Sequence, residues 1–137
     1  MKDGTVYVNG IGSDASLVSE IKDLFLRSTH DLEWLSLGEV VLLKPALNSS
    51  YPYPSTTHPL ALQVVSEILE DHGAKVIIGD QSGIRNVLHD SRGVIRGRTR
   101  DNYIKAGMGM AGDSFIGFEE WGWEEGFIHH ESRHTPS

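Results

Sequence analysis

Polar side chains follow three short apolar runs of the sequence, at the points where predicted strands end. The runs lie at 6–8, 40–43 and 75–78, and the links that follow them lie at 9–14, 44–58 and 79–85. Because the loops after parallel strands gather along one edge of a sheet, ligands of such sheets usually bind there. The side chains that this edge would bring together are Lys44, Asn48, Thr56, Thr57, Asp80, Gln81, Ser82 and Arg85. The pattern therefore predicts a ligand site at the carboxyl ends of the strands.

Lys44 directly follows one predicted strand, and Asp80 lies two residues after the next. Lys44 could clamp a phosphate or carboxylate or serve as a Schiff-base amine, or it could simply reach solvent from the strand end. Asp80 could bind a cation or act as a general base, or it could cap the turn at 79–83. These residue types indicate a small anionic ligand or a metal chelate, and they do not specify a reaction or establish that the protein is an enzyme.

A glycine motif provides an alternative site near the start of the chain. Residues 10–15 have the G-x-G-x-x-A spacing of a dinucleotide fingerprint, with Gly10 and Gly12 as the candidate cofactor-binding residues. Such glycines let a pyrophosphate approach the N-terminus of the following helix. Asp14 would repel phosphate, and Lys44 stands where an acid would bind the ribose. A tight turn that needs glycine for its geometry is the other interpretation.

Histidines and arginines form two further clusters. His130 and His134 are four residues apart and could bind a metal on one face of a helix, although they lie in a polar tail. Arg96, Arg98 and Arg100 occupy every second position, so an extended segment would place their three guanidinium groups on one side. Such a segment could be a lid over an anionic ligand or a solvated loop.

The intervening segments predict the elements that position these residues. Apolar positions at helical spacing predict helices from Leu17 to Phe25 and from Pro59 to Leu69, with Thr57 or His58 as the cap of the second helix. We also expect a helical turn at 84–89, a helix at 101–110 and a last strand at 114–118. Alternating strands and helices are typical of a Rossmann-like, three-layer α/β fold with a short, mostly parallel sheet and flanking helices. We assign residues 1–128 to one such domain and residues 129–137 to a polar tail.

Composition narrows the classes of function. The chain has no cysteine, so it cannot hold a cysteine-ligated iron–sulfur cluster. Its net charge of −7 argues against general nucleic-acid binding. No apolar run approaches the roughly 18 residues of a membrane helix, and we expect a cytoplasmic protein without a membrane partner. Acidic residues flank Trp121 and Trp123, which could form a recognition patch or cover a pocket, although packing onto the sheet is the simpler interpretation.

Several of these segments resemble the front part of DUF362 proteins. Residues 40–48, followed by Tyr51-Pro52 and by Thr56 to Pro59, are similar to the Lys-Pro-Asn and Thr-(Asp/His)-Pro elements of that family. Residues 69–83 resemble its next element, in which Gly-Ala-Lys and a strand lead to Gly-Asp-x-x-Gly. Residues 118–123 are similar to a further family segment. The resemblance extends over about 6–127, although Ala46 and Leu47 interrupt the usual Lys-Pro-Asn.

The resemblance implies an uncharacterised domain with a link to redox chemistry. Members of the family are generally longer, and many carry ferredoxin-like cysteine motifs. We therefore expect an incomplete α/β domain, with a ferredoxin-like partner or self-association supplying what the chain lacks. Three hypotheses follow: a small-ligand site within a redox-linked enzyme, a dinucleotide-binding module, and a non-catalytic domain that needs a partner chain.

Overall fold

The computed structural model describes residues 4–12, 16–83, 87–90, 93–110 and 115–120. The helices are α1 (Leu17–Ser28), α2 (Pro59–Asp71) and α3 (Thr99–Lys105). The strands are β1 (Val40–Leu43), β2 (Lys75–Asp80), β3 (Val87–Asp90), β4 (Gly93–Arg96) and β5 (Phe115–Gly117). Short 3₁₀ segments occupy His30–Leu32, Met108–Met110 and Phe118–Glu120.

A parallel sheet of three strands, in the order β1-β2-β5, forms the centre of the fold. Val40 pairs with Lys75 and Leu43 with Ile78, and Asp80 at the end of β2 pairs with Gly117 of β5. This small sheet and its flanking helices confirm the predicted α/β class and agree with an incomplete three-layer fold. Because all three strands run in the same direction, the loops that follow β1 and β2 leave the sheet at the same edge.

Helix α2 begins at the predicted residue, Pro59, and ends at Asp71, two residues beyond the predicted Leu69. His58 accepts a hydrogen bond from the backbone N–H of Leu60 through Nδ1, at 3.1 Å, and Pro59 occupies the first helical turn. Proline is suited to that turn because an N–H at this position would have no intrahelical acceptor. After the helix, Gly73 adopts φ +88°, the left-handed conformation that commonly follows a helix C-terminus.

One face of the sheet carries most of the core. Val76 and Ile78 of β2 and Phe115 of β5 are buried in a cluster with Leu62 and Leu69 of α2. Val41 and Leu43 of β1 pack against the same cluster. A continuous apolar run such as that of β1 is typical of strands buried on both faces, and the described residues cover one of these faces. Val40 and Leu42 point to the opposite face and remain largely exposed.

The predicted strand at 6–8 is wrong, since residues 4–12 have no regular secondary structure. Side-chain contacts attach this segment to α1 instead. Asn9 donates to Glu20 Oε2 at 2.9 Å and to Asp23 Oδ2 at 3.1 Å, and Arg27 lies over the Tyr7 ring at 5.4 Å. An apolar run of three residues does not become a strand without a neighbour that satisfies its backbone groups.

The segment between β2 and α3 also differs from the prediction. Residues 87–90 and 93–96 form an antiparallel hairpin, whereas we predicted a helical turn at 84–89. Helix α3 begins at Thr99, so Arg98 precedes the helix in extended conformation and Arg100 lies within it. The three alternating arginines therefore do not share one extended segment.

The predicted strand at 114–118 is confirmed as β5. Across the described ranges, no helix has the length and apolar character needed to span a membrane.

Candidate functional site

Lys44 and Asp80 meet at the carboxyl edge of the sheet. The Lys44 ammonium lies 2.7 Å from Asp80 Oδ1. Their environments differ sharply, because the Lys44 side chain is 62% exposed and that of Asp80 is 1% exposed. At this distance the ammonium and the carboxylate oxygen form a close ion pair. The pair thus has a buried carboxylate and a cation that solvent and ligands can reach.

The other carboxylate oxygen of Asp80 fixes the loop after β1. Oδ2 accepts a hydrogen bond from the backbone N–H of Leu47 at 3.0 Å. Ser82 donates through its hydroxyl to the carbonyl of the same residue. Leu47 is completely buried, and both of its backbone polar groups are satisfied by side chains that follow β2. Since an unpaired buried backbone group is costly, these contacts give Asp80 and Ser82 a definite structural function.

Threonines close the same loop from the side of α2. Thr57 Oγ1 accepts from the backbone N–H of Ala46 at 2.8 Å, and the Thr57 N–H donates to the Ala46 carbonyl at 3.2 Å. Thr56 is buried and donates to the carbonyl of Tyr51 at 2.9 Å. The loop is therefore fastened at both ends, and Lys44 leaves the sheet from a fixed backbone.

A chain of hydrogen bonds extends from this loop to the end of β5. The Ser82 N–H donates to Thr99 Oγ1 at 2.8 Å. Thr99 in turn donates through its N–H and its hydroxyl to Glu119, at 2.6 and 2.9 Å. Leu47, Ser82 and Thr99 each have zero exposure, so this network links three loops in a region from which water is excluded.

Arg100 and Glu120 form a bidentate pair beside the network. The two bonds measure 2.9 Å from Nε to Oε1 and 2.8 Å from the terminal nitrogen to Oε2. These hydrogen bonds hold the pKa of Glu120 below its ordinary value, although desolvation opposes the effect. They also raise the pKa of Arg100. The pair is partly exposed, and it joins α3 to the segment after β5.

A cleft of about 180 Å³ lies beside Lys44, between the end of β1 and the first turns of α2. Its walls are mostly apolar, with Lys44 and Thr57 as the polar groups; the lining residues are Leu43, Lys44, Pro45, Thr57, Ala61, Leu62 and Val65. This volume is below the roughly 300–1,000 Å³ of sites for drug-sized ligands. It therefore suits a ligand of a few heavy atoms, or one end of a larger ligand.

The start of α2 does not provide a phosphate cradle in this cleft. Pro59 has no N–H, and the N–H of Leu60 is taken by the His58 ring. The next two N–H groups, of Ala61 and Leu62, donate to the carbonyl of His58 at 3.0 and 3.3 Å. Among the residues that line the cleft, Lys44 provides the basic group, an amine whose ammonium form has three N–H donors.

The predicted site residues thus separate into distinct groups. The structure brings Lys44, Thr57, Asp80 and Ser82 together around the fixed loop, with Thr56 buried in its wall. Asn48 is exposed and Gln81 is half-buried, and neither has a described contact that ties it to the Lys44 ammonium. Arg85 lies outside the described residues.

Three residues of the network were missed by the sequence reasoning. Leu47 was treated as an interruption of a motif, Thr99 was not singled out, and Glu119 was read only as part of an acidic stretch. Leu47 and Glu119 lie within the segments at 40–48 and 118–123 that resemble the family, and this resemblance was the signal that could have identified them. Nothing in the local sequence distinguishes Thr99.

The described part of the structure does not supply the surroundings that the two alternative sites would need. Gly10 and Gly12 follow an irregular segment and not a strand, so the strand that the dinucleotide interpretation requires is not formed. His130 and His134 lie outside the described residues. Among the residues that the structure does describe, no group of three or more His, Cys, Asp or Glu side chains could hold a metal ion.

Comparison with known proteins gives one match. The sequence model of the family described as "Domain of unknown function (DUF362)" matches residues 41–124. No curated protein and no solved structure matches the chain. The match leaves out residues 6–40 and 125–127, which the resemblance in the sequence had included, and it contains Lys44, the network and Glu119. Because it spans well over half of the 137 residues, the chain belongs to the DUF362 family.

Proposed function

We propose that the cleft beside Lys44 binds a small anionic ligand, with the ammonium of Lys44 holding its carboxylate or phosphate group. The observation that supports this proposal most strongly is the unequal exposure of the Lys44–Asp80 pair. Asp80 is buried and fixes Lys44 in position, while most of the lysine side chain stays accessible at the mouth of the cleft. Charge-assisted hydrogen bonds to a lysine are among the stronger polar contacts a ligand can make.

The lining of the cleft favours a carboxylate with a short apolar body. Ala61, Leu62 and Val65 offer apolar contacts to the ligand, while Thr57 and Lys44 provide the polar end. The ion pair is neutral as a whole, so Asp80 weakens the attraction of Lys44 for an anion. We therefore expect modest affinity for a small acid, with a Kd of roughly a millimolar.

A panel of simple acids tests the proposal by calorimetric titration of the full chain. Each buried methylene adds up to about 0.8 kcal/mol, so butyrate should bind more tightly than acetate or inorganic phosphate. Ala61→Leu should abolish binding by filling the cleft without touching the ion pair. Lys44→Met should also abolish it, by removing the charge while keeping an apolar side chain.

Lys75→Met is the matched control, since Lys75 is an exposed lysine at the opposite end of β2. This variant should bind butyrate as the parent chain does. Equal binding by the parent, Ala61→Leu and Lys44→Met would place the acid elsewhere and reject the proposal.

A metal chelate is a larger candidate ligand for the same cleft, because its carboxylate groups would bind the Lys44 ammonium as the carboxylate of a small acid would. The proposed link to redox chemistry derives from the ferredoxin-like cysteine motifs of longer family members. An iron–sulfur cluster would have to belong to a partner, since this chain has no cysteine. Titration with a citrate–iron chelate extends the same test: it should compete with butyrate for the parent chain and not bind Ala61→Leu.

A further inference from the structure

The face of the sheet opposite α2 carries apolar side chains without a covering helix or strand among the described residues. Directly paired residues of parallel strands point to the same side, so Val40, Leu42, Ile77 and Ile116 share this face. Val40 is 57% and Leu42 47% exposed, whereas Ile77 and Ile116 are half-buried. Strands of a parallel sheet are normally covered on both faces, and the described part of the chain leaves this one open.

The chain turns onto this face directly after β5. Gly79 lies on the same side as Ile77, and a Cβ built on Gly79 would stand 2.6 Å from Cε1 of Phe118. The Phe118 ring therefore already covers the position of the missing side chain at the carboxyl end of the face. The described structure ends two residues later, at Glu120.

The sequence that follows has the composition of a covering segment. Trp121, Trp123, Phe127 and Ile128 fall within eight residues, and the aromatic side chains among them bring some of the largest apolar surfaces available to a protein. An exposed apolar patch on a sheet is a site for such a segment.

We propose that residues 121–128 of this same chain pack across Val40, Leu42, Ile77 and Ile116 and complete the domain. Phe118 is the first contact of this layer, and the tryptophans continue it toward β1. The occupant is the chain itself and not a second copy, because the segment is covalently joined to β5 at the edge of the face that it would cover. The face lies on the side of the sheet away from the Lys44 cleft, so its covering does not depend on ligand binding.

Tryptophan fluorescence of the full chain tests this packing. Trp34→Phe leaves Trp121 and Trp123 as the only tryptophans, because the chain has three. Their emission should be shifted to the blue, and their quenching constant with acrylamide should be several-fold smaller than in urea. Quenching as strong as in urea would overturn the proposal.

Substitutions on the face then locate the contact. In the Trp34→Phe background, Leu42→Lys should shift the emission to the red and raise the quenching constant. Val40→Lys, at the more exposed position, is the second variant in case Leu42→Lys lowers the helical circular dichroism signal. Val6→Lys is the matched control, since Val6 is 81% exposed and lies outside the sheet.

Light scattering at several protein concentrations gives the molecular mass and distinguishes two occupants of the face, the chain's own segment and a second copy of the chain. The proposal requires a monomer whose tryptophans are protected at every concentration. Protection that appears only as a dimer forms would assign the face to a second copy. Protected tryptophans that respond equally to Val40→Lys and Val6→Lys would place the segment elsewhere. Either result would overturn the proposal.

Discussion

At the residue scale, Asp80 determines the properties of the site. A carboxylate with 1% of its side chain exposed needs compensation, because burial of an unpaired charge is strongly unfavourable. Lys44 compensates Oδ1 from the surface, and the Leu47 N–H compensates Oδ2 from the interior. The aspartate thus connects the cation that would meet a ligand to the backbone that positions it.

The two partners of this pair should contribute unequally to stability. Lys44→Met leaves a buried, uncompensated carboxylate and should cost about 2–4 kcal/mol. Asp80→Asn leaves an exposed lysine that water can solvate, and an amide oxygen that can still accept from Leu47, so it should cost about 1–2 kcal/mol. Urea unfolding at pH 7 measures both free energies.

Two further variants control this comparison. Lys75→Met should change the free energy of unfolding by less than about 0.5 kcal/mol, as is usual for a surface position. The double variant Lys44→Met/Asp80→Asn should be more stable than the sum of the two single effects predicts. A larger loss for Asp80→Asn than for Lys44→Met would contradict the account of the pair.

Glu120 makes the stability of the α3 region dependent on pH. Its pKa is lowered in the folded chain by the hydrogen bonds from Arg100, so the unfolded chain takes up this proton at higher pH than the folded chain does. The stabilisation is complete above the ordinary glutamate value of 4.5 and is lost as the pH falls through the lower folded value.

Glu120→Gln should therefore unfold more easily than the parent chain at pH 7, with a difference that shrinks below pH 4.5. Thermal unfolding across this range checks the prediction. Because the pKa of Asp23 is also lowered, mainly by its hydrogen bond from Asn9, the variant has to be compared with the parent at each pH. Glu70→Gln, which removes an exposed carboxylate from α2, should show no such trend.

At the scale of the elements, local signals determine α2 and β2 more completely than the other segments. His58, Pro59 and Gly73 define the two ends of α2 by mechanisms that need only a few neighbouring residues. The strand at 6–8 and the hairpin of β3 and β4 were mispredicted, because pairing partners decide those segments. The hairpin connection contains Ser91 and Arg92 and not the asparagine–glycine or aspartate–glycine pair that would have identified it.

Gly73 provides the test at this scale. Its φ of +88° is unfavourable for any residue with a Cβ, so Gly73→Ala should lower the free energy of unfolding by about 1 kcal/mol. The added Cβ would also meet Cδ1 of Leu37 at 2.3 Å, but that atom ends an exposed, flexible side chain that can move aside.

Gly97→Ala is the matched variant, because Gly97 has an ordinary φ and no atom within 4 Å of an added Cβ. It should be neutral or slightly stabilising, since alanine reduces the entropy of the unfolded chain. Equal losses for the two variants, measured by urea unfolding, would show that the positive φ of Gly73 is not the cause.

At the scale of the whole molecule, the described residues cover one face of the sheet and place no helix or strand across the other. The alternation of strands and helices was sufficient to predict the parallel sheet and the edge at which Lys44 and Asp80 meet. It was not sufficient to predict the network through Leu47, Thr99 and Glu119, because those contacts join residues that are 17 to 35 positions apart. Hydrogen bonds over such separations follow from the three-dimensional fold and leave no local pattern.

The overall charge adds a constraint on any ligand. With a net charge of −7, the protein repels anions at long range, so the affinity for an acid has to arise at short distance from Lys44. Salt at 0.15 M limits the long-range repulsion to roughly 8 Å, the screening length at that ionic strength. The local geometry of the cleft therefore decides whether an acid binds.

The most direct measurement is an NMR titration of the full chain, labelled in its lysine side chains, with butyrate. Lys44→Arg assigns the Lys44 signal by removing it, and Lys75, at the opposite end of β2, is the internal reference. The account predicts that the Lys44 signal moves with saturation while the Lys75 signal does not, and that Ala61→Leu abolishes the movement. A Lys44 signal that stays fixed, or that moves only in step with Lys75, would contradict the assignment of an anion site to this cleft.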